Sequence, residues 1–241
     1  MKKAVVVSLM LVGVFVLLAA PAFAAEGPDG EKADMTVLGL IMSAGVIGWV
    51  IILLSVVGLA LSIEHAINLR REKLLPPEFV VELQDLFEQE DYEEALHLCE
   101  GEENFLAQTM AASMAKMDHG YESMEDALVE ANEEMSLSLH QKISYVALIA
   151  NIAPMLGLLG TVVGMIITFK VFAETPGAGA AELAPGIAMA LVTTVMGLIV
   201  SIPLMVVFQF FRNLLVKVVL ESSNIAGDLI RQFKPGQRAA G

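Results

Sequence analysis

Residues 150–172 read ANIAPMLGLLGTVVGMIITFKVF, and beyond a short polar loop residues 184–203 read APGIAMALVTTVMGLIVSIP. Both are apolar runs of helical length, yet both are crowded with Gly, Ala, Ser and Thr. Ala150, Ala153, Gly157, Gly160 and Gly164 recur at alternating intervals of three and four, which puts small residues on one helix face. A face turned to lipid has no use for such a stripe. A face packed against other helices does, because in hydrocarbon close backbone approach replaces the hydrophobic drive that assembles soluble proteins. Polar atoms are scarce in these runs, so the hydroxyls of Thr161, Thr168, Thr193 and Thr194 are the candidates for transport chemistry.

Outward from these runs, the 241-residue chain is 56% hydrophobic with a mean hydropathy of +0.69, the composition of a membrane protein. Windows 4–25, 35–63, 143–169 and 183–211 hold no charged residue, and each reaches the roughly 20 residues a spanning helix needs. The first window differs from the others. Lys2 and Lys3 precede it and the small-x-small triplet Ala22-Phe23-Ala24 closes it, the layout of a cleavable secretory signal cut after Ala24. The alternative is a retained fourth spanning helix. With the signal removed, three spans remain.

Loop charges orient them. Arg70, Arg71, Lys73 and Lys116 lie between the first two spans, and Arg212, Lys217, Arg231, Lys234 and Arg238 follow the third, whereas 173–182 holds no Lys or Arg. The positive-inside rule then puts 65–142 and the tail in the cytoplasm, with the 173–185 loop and the mature N-terminus outside. The expected order is a signal peptide 1–24, a periplasmic segment 25–40, a first span 41–64, a cytoplasmic helical region 65–142, a second span 143–172, a periplasmic loop 173–185, a third span 186–211 and a cytoplasmic tail 212–241.

Residues 64–142 carry 20 acidic against 5 basic side chains and so hold the whole of the net charge of −14. That surface repels nucleic-acid phosphates, and it reads as a solvated helical face or an acidic docking site. Its pattern is helical: Pro76-Pro77 breaks the chain, Phe79, Leu83, Leu86 and Phe87 repeat at helical spacing, Asp91 can cap a short helix and Gly101 end it. Met124, Leu128, Ala131, Met135 and Leu139 then run without Gly or Pro into the second span, which predicts one helix over about 121–172. The third span extends through Leu214, Val218, Ile225, Leu229 and Phe233 toward a stop at Pro235-Gly236. The expected fold is all-α.

No P-loop, GxSxG, HExxH or paired-cysteine motif is present, so neither a catalytic residue, a metal site nor a cofactor is expected. The four histidines are scattered, with His65 at the membrane edge. Cys99, the only cysteine, has no partner for an internal disulfide and reads as a small apolar filler.

The ordered pair 153–165 (APMLGLLGTVVGM) and 190–203 (ALVTTVMGLIVSIP) resembles the MotA/TolQ/ExbB proton-channel family, most of all its ExbB-type biopolymer transport proteins. The resemblance covers nearly all of the mature chain. It implies a pentamer around a lumen that holds the spanning helices of a dimeric ExbD- or TolR-like partner, a single-span protein whose membrane aspartate accepts the proton. A periplasmic TonB- or TolA-like effector would be driven, with membrane lipid as the other neighbour. Thr161 and Thr194 align with polar lumen threonines, so they would line the ion path; Pro154, Gly157, Gly160, Gly164, Gly197 and Pro203 would form the packing and lumen face, through which subunits assemble. The reading of the residues fits. The three spans hold no Asp or Glu in their charge-free windows, and a Thr hydroxyl can only donate and accept hydrogen bonds, so the titrating carboxylate must come from another chain. For each threonine the alternative is a hydroxyl bonded back to its own helix. Many ExbB-type members carry a glutamate five positions before the residue that matches Thr194, where this chain has Met189. Met189 keeps a non-conducting scaffold of the same fold open, and a passive ion channel is a second alternative.

Overall fold

The computed structural model describes residues 44–234. The expected signal peptide 1–24, the segment 25–40, the first residues of the 41–64 span and the Pro235-Gly236 stop lie outside the described residues. Within them the chain is helical, with no strand. Helices α1 (Gly45–Asn68), α2 (Arg71–Leu74), α3 (Pro77–Glu88), α4 (Tyr92–Gly101), α5 (Phe105–Met114), α6 (Tyr121–Glu174) and α7 (Ala180–Ile230) follow in order, with 3-10 turns at Met117–His119 and Arg231–Phe233. Three helices are long and apolar enough to cross a membrane: α1, α6 and α7 with its terminal turn. A span takes roughly 20 residues, so much of α6, with 54, and of α7, with 51, is left over.

The described chain divides into two compact units, one of 44–64 with Ser144–Gln209, the other of His65–Ile143 with 210–234. The second unit has a hydrophobic core of its own. Phe79, Leu83 and Phe87 line one face of α3, and Ala95 and Cys99 the inner face of α4. The short α5 is buried along nearly its whole length, from Phe105 to Met114. Met124 and Leu128 of α6 and Val218, Ala226, Leu229 and Ile230 of α7 close this core. Edge-on and tilted rings of Phe87, Tyr92 and Phe233, with centroids 4.8–6.3 Å apart, seal one end.

Local chemistry sets the boundaries. Pro77 opens α3, where its missing N–H costs nothing. Asp91 Oδ1 accepts from the Glu94 N–H at 3.3 Å and so caps α4, as its sequence position suggests, and Asn104 Oδ1 accepts from the Ala107 N–H at 2.8 Å to cap α5. Gly120, at φ +89°, supplies the left-handed turn from which α6 starts. His65 is buried, its Nε2–H donating to the Lys142 carbonyl at 3.0 Å and its ring edge-on to Phe211. It is a satisfied core histidine.

In the first unit, α1 is apolar on all sides. Its buried contacts are few and regular: Ile51 is fully covered, and at Gly58 the missing side chain leaves room for Leu204 and Ile149. Val146, Ile149, Ala150 and Leu204 form the cluster beneath it, with Leu54 and Leu61 packed on top.

Candidate functional site

Helices α6 and α7 run antiparallel along a seam where backbone meets backbone. A Cβ placed on Gly197 would stand 2.6 Å from the Ala153 carbonyl oxygen, and one on Gly157 would stand 3.0–3.1 Å from Thr193 O and Thr194 Cα. Further along, a Cβ on Gly160 would overlap the Thr193 side chain, one on Gly164 would stand 2.5 Å from Gly186 O, and one on Gly186 would overlap Thr168 Oγ1. Each glycine is a hole, and the facing Thr or backbone is what fills it. The small stripe read from the sequence is thus occupied by α7 of the same chain. Gly157, Gly160, Gly164 and Gly197 are buried there, while Pro154 and Pro203 are half-buried.

The hydroxyls fall into two groups. Thr168 Oγ1 donates to Gly164 O at 2.9 Å, and Thr193 Oγ1 to Met189 O and Ala190 O at 2.9 and 3.1 Å. Both side chains are buried in the seam and bonded within their own helices. Thr161 Oγ1 donates to Leu158 O at 2.6 Å, also in its own helix, but the residue is half-exposed. Thr194 is half-buried, and its proton is shared between Ala190 O at 3.2 Å and Gly157 O of α6 at 3.3 Å. A fifth hydroxyl, outside the set that the sequence singles out, reaches across: Ser201 Oγ donates to Ala150 O at 2.6 Å.

Helix geometry places the two half-exposed threonines. Thr161 stands one turn beyond Gly157, the residue whose carbonyl Thr194 touches, so the two lie within about a turn of each other along the seam. Pro154 and Thr161, seven residues apart, share a stripe. Met189 is five residues before Thr194, about 140° away around α7, and its Cε lies where a Cβ on Gly45 of α1 would be 3.1 Å off. Met189 is therefore packing against the first turn of α1, on the far side of α7 from Thr194. Its position relative to α1 is not something the sequence pattern could supply.

Chemically, the arrangement supplies acceptors. Each hydroxyl has one proton, and those of Thr161 and Thr194 are committed to carbonyls; what remains free is oxygen lone pairs. No carboxylate stands in the charge-free windows to titrate. Among the described residues no group of three or more His, Cys, Asp or Glu side chains converges.

The sequence model of the MotA/TolQ/ExbB proton channel family matches residues 98–223, more than half of the chain, and that interval contains the whole seam. An ExbB-like biopolymer transport protein of Helicobacter pylori is 39% identical over 84 residues, 35% of this chain and 53% of its own length. The ExbB biopolymer transport protein of Aquifex aeolicus is 32% identical over 99 residues, 41% of this chain and 67% of its own. An ExbB homologue of Methanothermobacter thermautotrophicus is 28% identical over 179 residues, covering 74% and 63%. The chain thus spans about half the length of the Helicobacter relative.

Proposed function

The chain belongs to the MotA/TolQ/ExbB proton channel family, and we propose that it is the polytopic subunit of an inner-membrane energy transducer. In this reading five copies surround a lumen, and an ExbD- or TolR-like single-span partner within it carries the aspartate that takes the proton. The proton motive force turns or shifts that partner, and a periplasmic TonB- or TolA-like effector receives the motion. The large segment between α1 and the second span lies in the cytoplasm, as the loop charges favour.

One observation carries the proposal: two half-exposed threonine hydroxyls, Thr161 and Thr194, present free lone pairs in a membrane helix pair that has no acid of its own. Such a surface serves a carboxylic acid or a water brought by another chain. It supplies hydrogen-bond acceptors but no carrier.

The test is proton flux in liposomes that contain both subunits. Thr161→Val keeps shape and removes only an oxygen whose own hydrogen bond is local, so assembly persists. A hydrogen bond to a charged or proton-sharing group is worth about 1.5–3 kcal/mol, so the double variant Thr161→Val, Thr194→Val should lose roughly tenfold or more in flux. Thr168→Val, whose hydroxyl is buried in the seam, is the milder control. Undiminished flux in the double variant overturns the assignment and leaves both hydroxyls as self-satisfied helix groups.

A further inference from the structure

Proline inside a membrane helix leaves a specific deficit. Pro154 lies within α6, and a helical carbonyl accepts from the N–H four residues on. Proline has no N–H, so the Ala150 carbonyl loses its intrahelical partner. Ala150 is fully buried, and at membrane depth a carbonyl freed in this way has to be met by a neighbouring helix, a Ser or Thr side chain or an ordered water. The carbonyl is nevertheless satisfied, by a residue 51 positions away: Ser201 Oγ, on α7, donates to it at 2.6 Å.

That choice of acceptor is unusual within this unit. A Ser or Thr hydroxyl on a helix ordinarily returns to the carbonyl three or four residues back. Ser62 does so to Gly58, Thr161 to Leu158, Thr168 to Gly164 and Thr193 to Met189. The corresponding acceptor for Ser201 is Gly197 O, yet its hydroxyl crosses to the other helix, where the proline has left a carbonyl free. The neighbouring contact explains how it reaches. Gly197 lies one turn before Ser201 with its backbone against the Ala153 carbonyl, and one further turn brings Thr194 to Gly157 O. The Ala150–Ser201 bond thus sits at one end of the close approach, about two turns of α7 from Thr194.

We propose that Ser201 is a positioning residue for ion transfer: its hydroxyl replaces the hydrogen bond that Pro154 withholds from Ala150, and so pins the register of α7 on α6 in which Thr161 and Thr194 are presented. This rests on the proposed ion path for its functional half; the clasp itself stands on geometry alone. A proline and a serine on different helices then act as one device, since the serine matters because the proline is there.

The dependence gives the experiment. The full chain is reconstituted with its partner in four forms: unmodified, Ser201→Ala, Pro154→Ala and the double variant. Ser201→Ala should lower proton flux about tenfold, the factor that one hydrogen bond of this kind corresponds to. In the Pro154→Ala background the helix supplies its own N–H to Ala150, and the same serine substitution should change flux by less than about twofold. A second readout does not depend on transport. Labelling with carbonyl-13C alanine and 15N asparagine singles out two Ala–Asn pairs, Ala131-Asn132 and Ala150-Asn151. Ser201→Ala should move the Ala150 carbonyl resonance and leave that of Ala131 in place, and Pro154→Ala should restore it. An Ala150 resonance indifferent to Ser201→Ala overturns the clasp. A flux loss of equal size with Pro154 intact and in the Pro154→Ala background overturns the coupling. Absence of flux in the unmodified pair would instead refute the transport reading and the positioning role with it, while the carbonyl shift still decides the clasp.

Discussion

Gly160→Ala adds one methyl group at the tightest point of the α6–α7 seam. The new Cβ would overlap Thr193 Oγ1 and Cβ, and even the most distant of the three nearest atoms, Thr193 Cγ2, would be 2.8 Å away. Carbon atoms rest about 3.5–4.0 Å apart, and Thr193 Cβ would stand 2.4 Å away, so at least ~1.1 Å must be found. Rotation of the threonine cannot supply it, because a Cβ is fixed to its backbone and a β-branched side chain is restricted in χ1 on a helix. The helices must part, loosening the contacts at Gly157 and Gly164 on either side. Overpacking of this kind costs typically 1–3 kcal/mol, which reduces the folded-to-unfolded ratio by roughly 5- to 150-fold. The assay is unfolding of the purified chain in mixed micelles, followed by helix content. Two second-site changes sharpen it. Thr193→Ala still leaves the overlapping Cβ and should rescue little; Thr193→Gly removes it and should rescue most of the loss. Equal rescue by both, or a Gly160→Ala chain as stable as the original, would refute the close approach as the reason for glycine.

Two further outcomes are expected in the other unit. Burial, with a smaller contribution from the neighbouring Glu100, pushes the Cys99 thiol up to about 12; since the thiolate is the reactive form, Cys99 should resist maleimide in the folded chain and react promptly in denaturant, and fast labelling of the folded chain would count against the buried placement. Glu221 is held below the usual carboxylate value, first by its hydrogen bond from Arg71, whose Nε donates to Oε2 at 3.1 Å while the second guanidinium nitrogen pairs with Oε1. Its native pKa being depressed, the pair's contribution is complete above the ordinary carboxylate range and is lost as pH falls through and below it. Both side chains are about 40% exposed, so the effect should stay under about 1 kcal/mol. Glu221→Gln should abolish that part of the acid dependence of unfolding, and an unchanged acid dependence would argue against the pair.

The helices are legible because their signals are local. The uninterrupted apolar stripe from Met124 to Leu139 announces a helix over about 121–172, and α6 is Tyr121–Glu174. Asp91 and Gly101 mark the ends of α4 as their chemistry suggests. The glycine stripe is equally plain as a packing face, but periodicity is silent on whether the opposing helix belongs to the same chain. Filling by Thr193 and Gly186 is a matter of register between two helices, which emerges only when both are placed. Met189 shows the same gap: its contact with Gly45 depends on where α1 lies. Ser201 stands in plain view within the second motif, and a signal for its role exists there. Counting four residues back from Pro154 identifies a carbonyl in need of a donor, and the seam offers few hydroxyls to meet it.

The hydrogen-bond direction at the threonines constrains the proposed assembly further. With both protons committed to carbonyls, Thr161 and Thr194 offer lone pairs and no free donor. In this geometry a protonated partner acid can donate to them. In the proposed assembly the pair would therefore favour a partner carboxyl that arrives protonated. A glutamate at the position of Met189 would bring a second ionisable group to the helix, but on the side where α1 packs, about 140° from Thr194. In this chain that side holds a thioether packed against the first turn of α1, and in the proposed assembly the partner's acid would meet the half-exposed side alone. In the proposed assembly the subunit's contribution would then be a fixed polar ledge on a tightly registered helix pair. The glycine holes and the proposed Ser201 clasp would hold that pair in register while such a partner moved past the ledge.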